Sequence, residues 1–150
     1  MEWTKDNFKI STDKSLLDIP SIRKYLAFES YWAKNISEAR VKVACENSLC
    51  FGLYDSERQI GLARVVTDYS TFAYLCDVYV LPEYQGKGLG KWMMSCVMAH
   101  ADLQTLRRWI LATKDAHGLY AHSGFASLQN PDRHMEFKNL KVFDGDWLIE

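Results

Sequence analysis

Three glycines fall within five residues, at Gly86, Gly88 and Gly90, and their surroundings make them chemically informative. Before them runs TFAYLCDVYVL, residues 71–81, almost continuously apolar and closed by Pro82, the pattern of a strand buried on both faces. After them Leu89, Trp92, Met93, Cys96, Val97 and Ala101 recur at helical spacing with one inward face. A strand, a glycine-rich turn and a helix N-terminus together make an anion site. The first-turn N–H groups lack intrahelical partners, and the helix dipole favours negative charge there. Glycine also lets a bulky phosphate approach the backbone without meeting a Cβ. Two common phosphate loops are excluded by spacing. A dinucleotide fingerprint starting at Gly86 needs glycine where Lys91 stands, and a Walker loop needs Ser or Thr where Trp92 stands. Asp77 is the second chemical signal, the only charged residue between Thr71 and Leu81. A carboxylate in such a run is costly unless it is paired or useful.

The elements that must position these groups can be read in chain order. Phe8 and Ile10 lie in a short edge strand, and Pro20 suits the first turn of a helix carrying Ile22, Tyr25 and Leu26. Tyr31 and Trp32 are adjacent, so one of them is exposed or lines a cleft. Ser37 reads as the N-cap of a helix through Val41, Ala44 and Cys45. Strands at 49–54, 59–67 and 71–81 form an antiparallel meander, and 108–112 lies parallel to the third, completing a βαβ unit. A short helix from Ala116 to Ser123 ends at Gly124, and Phe125 to Leu128 and Met135 to Phe137 read as the last strands. The expectation is one domain over residues 1–150, of mixed α/β class. Its sheet is mostly antiparallel, with six or seven strands, one parallel pair and about four flanking helices.

The stretch DVYVLPEYQGKGLGKWMM carries Q-x-x-G-x-G at Gln85, Gly88 and Gly90, and resembles the acyl-CoA-binding motif of the GNAT superfamily of N-acyltransferases. ILATKDAHGLYAHSGF is similar to that family's A-x-x-L-Y-x-x-x-G-F segment through Ala116, Leu119, Tyr120, Gly124 and Phe125. The two motifs cover roughly residues 71–125; residues 1–70 resemble the family only in element order. The resemblance implies the GNAT fold and acetyl-CoA as cosubstrate. It implies that loop amides from Gln85, Gly86, Lys87, Gly88, Leu89, Gly90 and Lys91 hold the pyrophosphate. Val78, Tyr79 and Val80 would pair with the pantetheine arm, one of their N–H groups polarising the thioester carbonyl. Tyr120 would return a proton to the departing thiolate. Thr113 stands where the family commonly has an Asn that touches the CoA arm, so this contact is weaker or differently made.

Acyl transfer to an amine needs a proton acceptor, because an aliphatic amine is protonated near neutral pH. Asp77 is the first candidate for that base, with a structural acid bonded to a backbone amide or to Arg64 as the equal alternative. Asp68, Asp115, His117, Glu136 and a bound water are lesser candidates. The acceptor pocket is expected among Phe28, Tyr31, Trp32, Tyr69 and residues 131–136, and no acidic or basic run marks an acceptor class. The expected acceptor is therefore a small-molecule or peptide primary amine, with a non-catalytic acyl-CoA-binding module as the alternative function. No cysteine stands in a recognisable catalytic setting, which disfavours a covalent acyl-enzyme. The family often forms homodimers, but nothing in this chain derives an assembly.

Composition narrows the rest. Apolar residues make up 48% of the chain, and 18 basic against 19 acidic residues leave a formal charge of −1. There is no nucleic-acid or membrane footprint in that balance. The start MEWTKDNFKIS lacks the apolar core of a signal peptide, so a soluble cytoplasmic protein is expected. Cys45, Cys50, Cys76 and Cys96 lack metal or CxxC spacing and read as reduced core residues.

Overall fold

The computed structural model describes residues 1–143. Six strands form one sheet in sequence order: β1 (Glu2–Lys5), β2 (Phe8–Ser11), β3 (Leu49–Asp55), β4 (Arg58–Thr67), β5 (Phe72–Val80) and β6 (Arg108–Ile110). Every neighbouring pair is antiparallel except β5 and β6, which are parallel. That exception follows from the helix between them, because a parallel return needs a crossover.

Helices cover both faces. α1 (Ile19–Phe28) starts at Asp18, whose side chain accepts from the Ser21 N–H at 3.0 Å, with Pro20 in the first turn. α2 (Glu38–Glu46) starts at Ser37, which accepts from the Arg40 N–H at 3.3 Å. Ile22, Leu26, Val41 and Cys45 from this pair pack with Leu62 and Tyr79 of the sheet. On the opposite face α3 (Leu89–Ala99) buries Met93, Met94 and Val97 against Phe51, Leu53, Val65 and Leu75. Each such fully buried side chain contributes about 1.5–3 kcal/mol. Two shorter helices follow, α4 (His117–Ala121) and α5 (Leu140–Phe143). Among the described residues no helix is long and apolar enough to cross a membrane.

The C-terminal part departs from the sequence expectation. Neither Phe125 to Leu128 nor Met135 to Phe137 is a strand; the sheet ends at β6. Phe125 instead packs edge-on to Trp109 and Tyr120 at ring distances of 6.3 and 6.2 Å, so it anchors the turn after α4. Pro131 opens a single 3-10 turn, and Met135 and Phe137 are 98% and 95% exposed. A strand needs a neighbouring ladder and a face to bury, and neither is supplied there. The β5–β6 ladder is also shorter than the run 108–112, ending at Tyr74 and Ile110.

Candidate active site

Because β6 pairs with β5 only over Phe72–Tyr74, the two strands part beyond Tyr74. The opening is a cleft of about 1400 Å³. Its floor is the unpaired edge of β5, and its walls come from the α1–α2 region, the loop before α3, and residues 112–120.

β5 carries a bulge at the centre of that floor. Tyr79 stands opposite Leu62 and Cys76 opposite Arg64, leaving Asp77 and Val78 to face Ala63 alone. Asp77 adopts φ of 49°, a left-handed conformation that Asp tolerates better than most residues. Its carboxylate is held on both oxygens. Arg64 Nε donates at 2.7 Å and Trp32 Nε1 at 2.8 Å, while Arg64 Nη1 donates onward to Ser48 Oγ at 2.9 Å. Side-chain exposure is only 17% for Arg64 and 12% for Asp77. The Arg64 pairing that the sequence offered as one reading of Asp77 is present, and it fixes the bulge.

The glycine loop follows from the end of β5. Residues Pro82–Tyr84 make a 3-10 turn, and Gln85 Nε2 donates back to the Val80 carbonyl at 2.9 Å. Gly86 and Gly88 then adopt φ of 80° and 76°. No atom lies within 4 Å of where a Cβ would stand on either. Gly88 is the N-cap of α3 and supplies no side-chain cap; the first helical bond runs from the Trp92 N–H to its carbonyl at 3.1 Å. The N-terminal amides of α3 therefore open on the cleft, with Lys87 and Lys91 exposed beside them. This open, uncapped cradle fits a pyrophosphate.

Across the cleft Tyr120 projects from α4. It is 8% exposed, and its hydroxyl has no hydrogen-bond partner among the described residues. Burial, with smaller contributions from Tyr31, Asp115 and Cys76, pushes its pKa up to about 12, so it stays protonated at neutral pH. Thr113 lines the same wall, but its Oγ1 accepts from the Ala116 N–H at 3.1 Å and is used to start α4.

Tyr31 and Trp32 both line the cleft, which is possible because residues 29–37 are not helical. The Tyr31 hydroxyl accepts from the Lys114 N–H at 2.8 Å, tying the α1–α2 segment to the segment after β6. Two expected pocket residues and one candidate base lie elsewhere. Tyr69 sits at φ of 59° in the exposed β4–β5 turn, Phe28 lies under Arg23 at 4.9 Å, and His117 is an exposed residue at the start of α4. None of the three lines the cleft. Asp68 is no nearer. Its carboxylate caps the β4–β5 turn, and the Thr71 hydroxyl with the Thr71, Ser70 and Phe72 amides holds it far below the usual carboxylate range. From residues 131–136 Glu136 reaches the cleft, paired with Lys138 at 3.5 Å. Sequence reasoning missed Glu29, and it missed the stack of Tyr25 on Tyr79, with ring centres 3.8 Å apart and planes 9° apart. Helical spacing assigned Tyr25 to the core, and nothing local distinguished Glu29.

The match to known proteins agrees with this geometry. The model of the Acetyltransferase (GNAT) family matches residues 19–125, and the chain belongs to that family. A Gibberella zeae protein described as a candidate acetyltransferase is 32% identical, over 95% of this chain and 86% of its own. A crystal structure from Xanthomonas campestris pv. campestris, assigned to the same family, superposes with a TM-score of 0.87 at 51% identity. It covers 91% of this chain and 96% of its own. A Clostridium acetobutylicum protein solved with acetyl-CoA shares the fold at 18% identity, with a TM-score of 0.66 over 90% and 97% of the two chains.

Proposed function

We propose that this protein moves an acetyl group from acetyl-CoA to a primary amine by direct attack within a ternary complex. The observation that carries the reading is one cleft holding both an uncapped, glycine-lined helix N-terminus and a protonated, unpartnered tyrosine hydroxyl. Acetyl-CoA supplies the activated acyl group. The chain supplies the rest. The amides of Gly86 to Lys91 receive the pyrophosphate, with Gln85 holding the loop to β5. The free edge of Val78, Tyr79 and Val80 receives the pantetheine arm as a further strand would. The bulge frees a β5 amide to polarise the thioester carbonyl. One N–C bond forms as the C–S bond breaks, and Tyr120 hands the sulfur a proton that the amine's own proton replaces through solvent. Asp77 serves this chemistry by fixing the bulge and Trp32, its oxygens being occupied by two donors.

The first test is thiol release from acetyl-CoA against a panel of amines. Acceptor-dependent release is expected. Saturable acetyl-CoA binding with no release for any amine would favour a binding module instead.

The loop assignment has its own test. Gly88 is a poor site for it, since φ of 76° strains any side chain placed there. Gly90 has a helical conformation, and its Cβ would meet only Leu119 methyl carbons at 3.9 Å, an ordinary contact. Gly90→Ala is expected to stabilise the free protein by up to about 1 kcal/mol, through helix propensity. Gly90 and Leu119 both line the cleft, so a methyl added between them is expected to narrow it and to weaken CoA binding about tenfold, or about 1.4 kcal/mol. Calorimetric titration beside thermal melting checks both signs. Unchanged affinity would return the loop to a mere turn.

A further inference from the structure

We infer that the acceptor is a primary amine carried on an aromatic body without a second charge, and that Tyr25, Trp32 and Tyr74 form the wall on which that body lies. This rests on the acetyl-transfer reading of the same cleft. The sheet separates the wall from the cofactor loop. On β5, Ala73 and Leu75 pack into the core with Leu89 and Met93 of α3, the helix that follows the glycine loop. Side chains alternate along a strand, so Tyr74 and Cys76 leave by the opposite face. There Cys76 stands opposite Arg64, two residues beyond Leu62, which packs with α1 and α2. Tyr25, Trp32, Tyr74 and Cys76 all line the cleft.

What this wall offers a ligand is ring carbon. Trp32 and Tyr74 are each 37% exposed although they line a concavity, the combination that an apolar ligand covers. Trp32 commits its one donor, Nε1, to Asp77 at 2.8 Å. Tyr31 stands edge-on to Trp32 with ring centres 5.0 Å apart, and its hydroxyl accepts from the Lys114 N–H at 2.8 Å. Tyr25 lies flat on Tyr79, with ring centres 3.8 Å apart. These rings are held by protein contacts already, so a ligand has little ordering to impose.

The charges decide against a second charged centre. Asp77 has both oxygens occupied, and Arg64 donates to Asp77 and to Ser48. A charged ligand group would have to break that pair, whose side chains are only 17% and 12% exposed. Glu136 pairs with Lys138 at 3.5 Å, and Lys114 Nζ lies over the Tyr31 ring at 5.6 Å. Glu29 and Asp115 are exposed and keep their water. Burial first, then Asp77, pushes the Cys76 thiol up to about 12, so it adds no charge. An aromatic body gains here from ring contacts as well as from buried area. Trp32 reaches the bulge through Asp77, so a body on this wall sets its amine beside the strand edge that receives the acyl arm.

The test compares thiol release with phenylethylamine, ethylamine, an aliphatic diamine and glycine, in the wild type and in Tyr74→Ser. Phenylethylamine is expected to exceed ethylamine about tenfold or more in kcat/KM, with the diamine and glycine no better than ethylamine. Tyr74→Ser should erode that preference by raising the phenylethylamine KM with kcat little changed, as expected for lost uniform binding. Phenylethanol, which has the ring and no amine, should inhibit competitively against the amine, a result that needs no variant. Preference for the diamine or glycine, equal use of phenylethylamine and ethylamine, or indifference to phenylethanol would overturn the inference and leave acetyl transfer standing. Failure of every amine to release thiol would overturn it together with the transfer reading.

Discussion

Replacing Tyr120 with Phe is expected to lower turnover by about 10²–10⁴-fold, the range for a positioned general acid. Acetyl-CoA affinity should stay within about twofold, because the hydroxyl acts mainly in the transition state. The change is isosteric apart from one oxygen. The ring keeps its edge contact with Phe125 at 6.2 Å. The lost hydroxyl has no protein partner among the described residues, so its removal orphans nothing and the fold should hold. A pH profile gives a second readout. With its pKa pushed up to about 12, Tyr120 remains a proton donor through the range in which an aliphatic acceptor loses its proton. The wild-type rate should therefore climb as the acceptor deprotonates, and Tyr120 should impose a descending limb only near pH 12. Equal turnover in Tyr120→Phe would make this residue a core tyrosine that packs α4 on the sheet.

Asp77→Asn is expected to cost about 3 kcal/mol of stability, the lower end for breaking a buried ion pair. In a domain of this size that corresponds to a Tm lower by about 6–12 °C. Three features set the estimate. Arg64 would be left charged at 17% exposure with no carboxylate in reach. Asn retains an oxygen that can accept from Trp32 Nε1, so that bond survives. Asn also tolerates the left-handed φ of 49°, so the backbone itself adds little strain. Turnover should fall through displacement of the bulge, while the ascending limb of the pH–rate profile keeps its position. A lost ascending limb with an unchanged Tm would instead make Asp77 the base. Melting curves and the pH profile together separate the two outcomes.

Much of the frame was legible before any coordinates. Pro20 with Asp18, Ser37, and Gly124 at φ of 92° mark element ends because each meets a local backbone requirement. The meander of β3, β4 and β5 was legible because its strands are long, apolar and separated by polar turns. The last two expected strands failed for a non-local reason. Phe125 found Trp109 and Tyr120, and Met135 and Phe137 found no ladder. Aromatic pocket residues were half legible: Trp32 and Tyr31 reach the cleft, whereas Tyr69 is spent on a turn.

By itself the sequence determined the strand, glycine turn and helix of residues 72–99, since glycine spacing, the preceding strand and the following helix are all short-range properties of one continuous stretch. It likewise determined the short helix that carries Tyr120, because that helix and its C-terminal glycine lie in one segment. Only the tertiary structure showed what holds Asp77, because Arg64 and Trp32 reach it from 13 and 45 residues away. It alone brought the segment of Tyr31 against that of Lys114, through a hydrogen bond between residues 83 apart in the chain. A cofactor loop reads a repeating backbone shape that neighbours in sequence can build. An acceptor pocket is assembled from side chains that meet only after the sheet and its helices have packed.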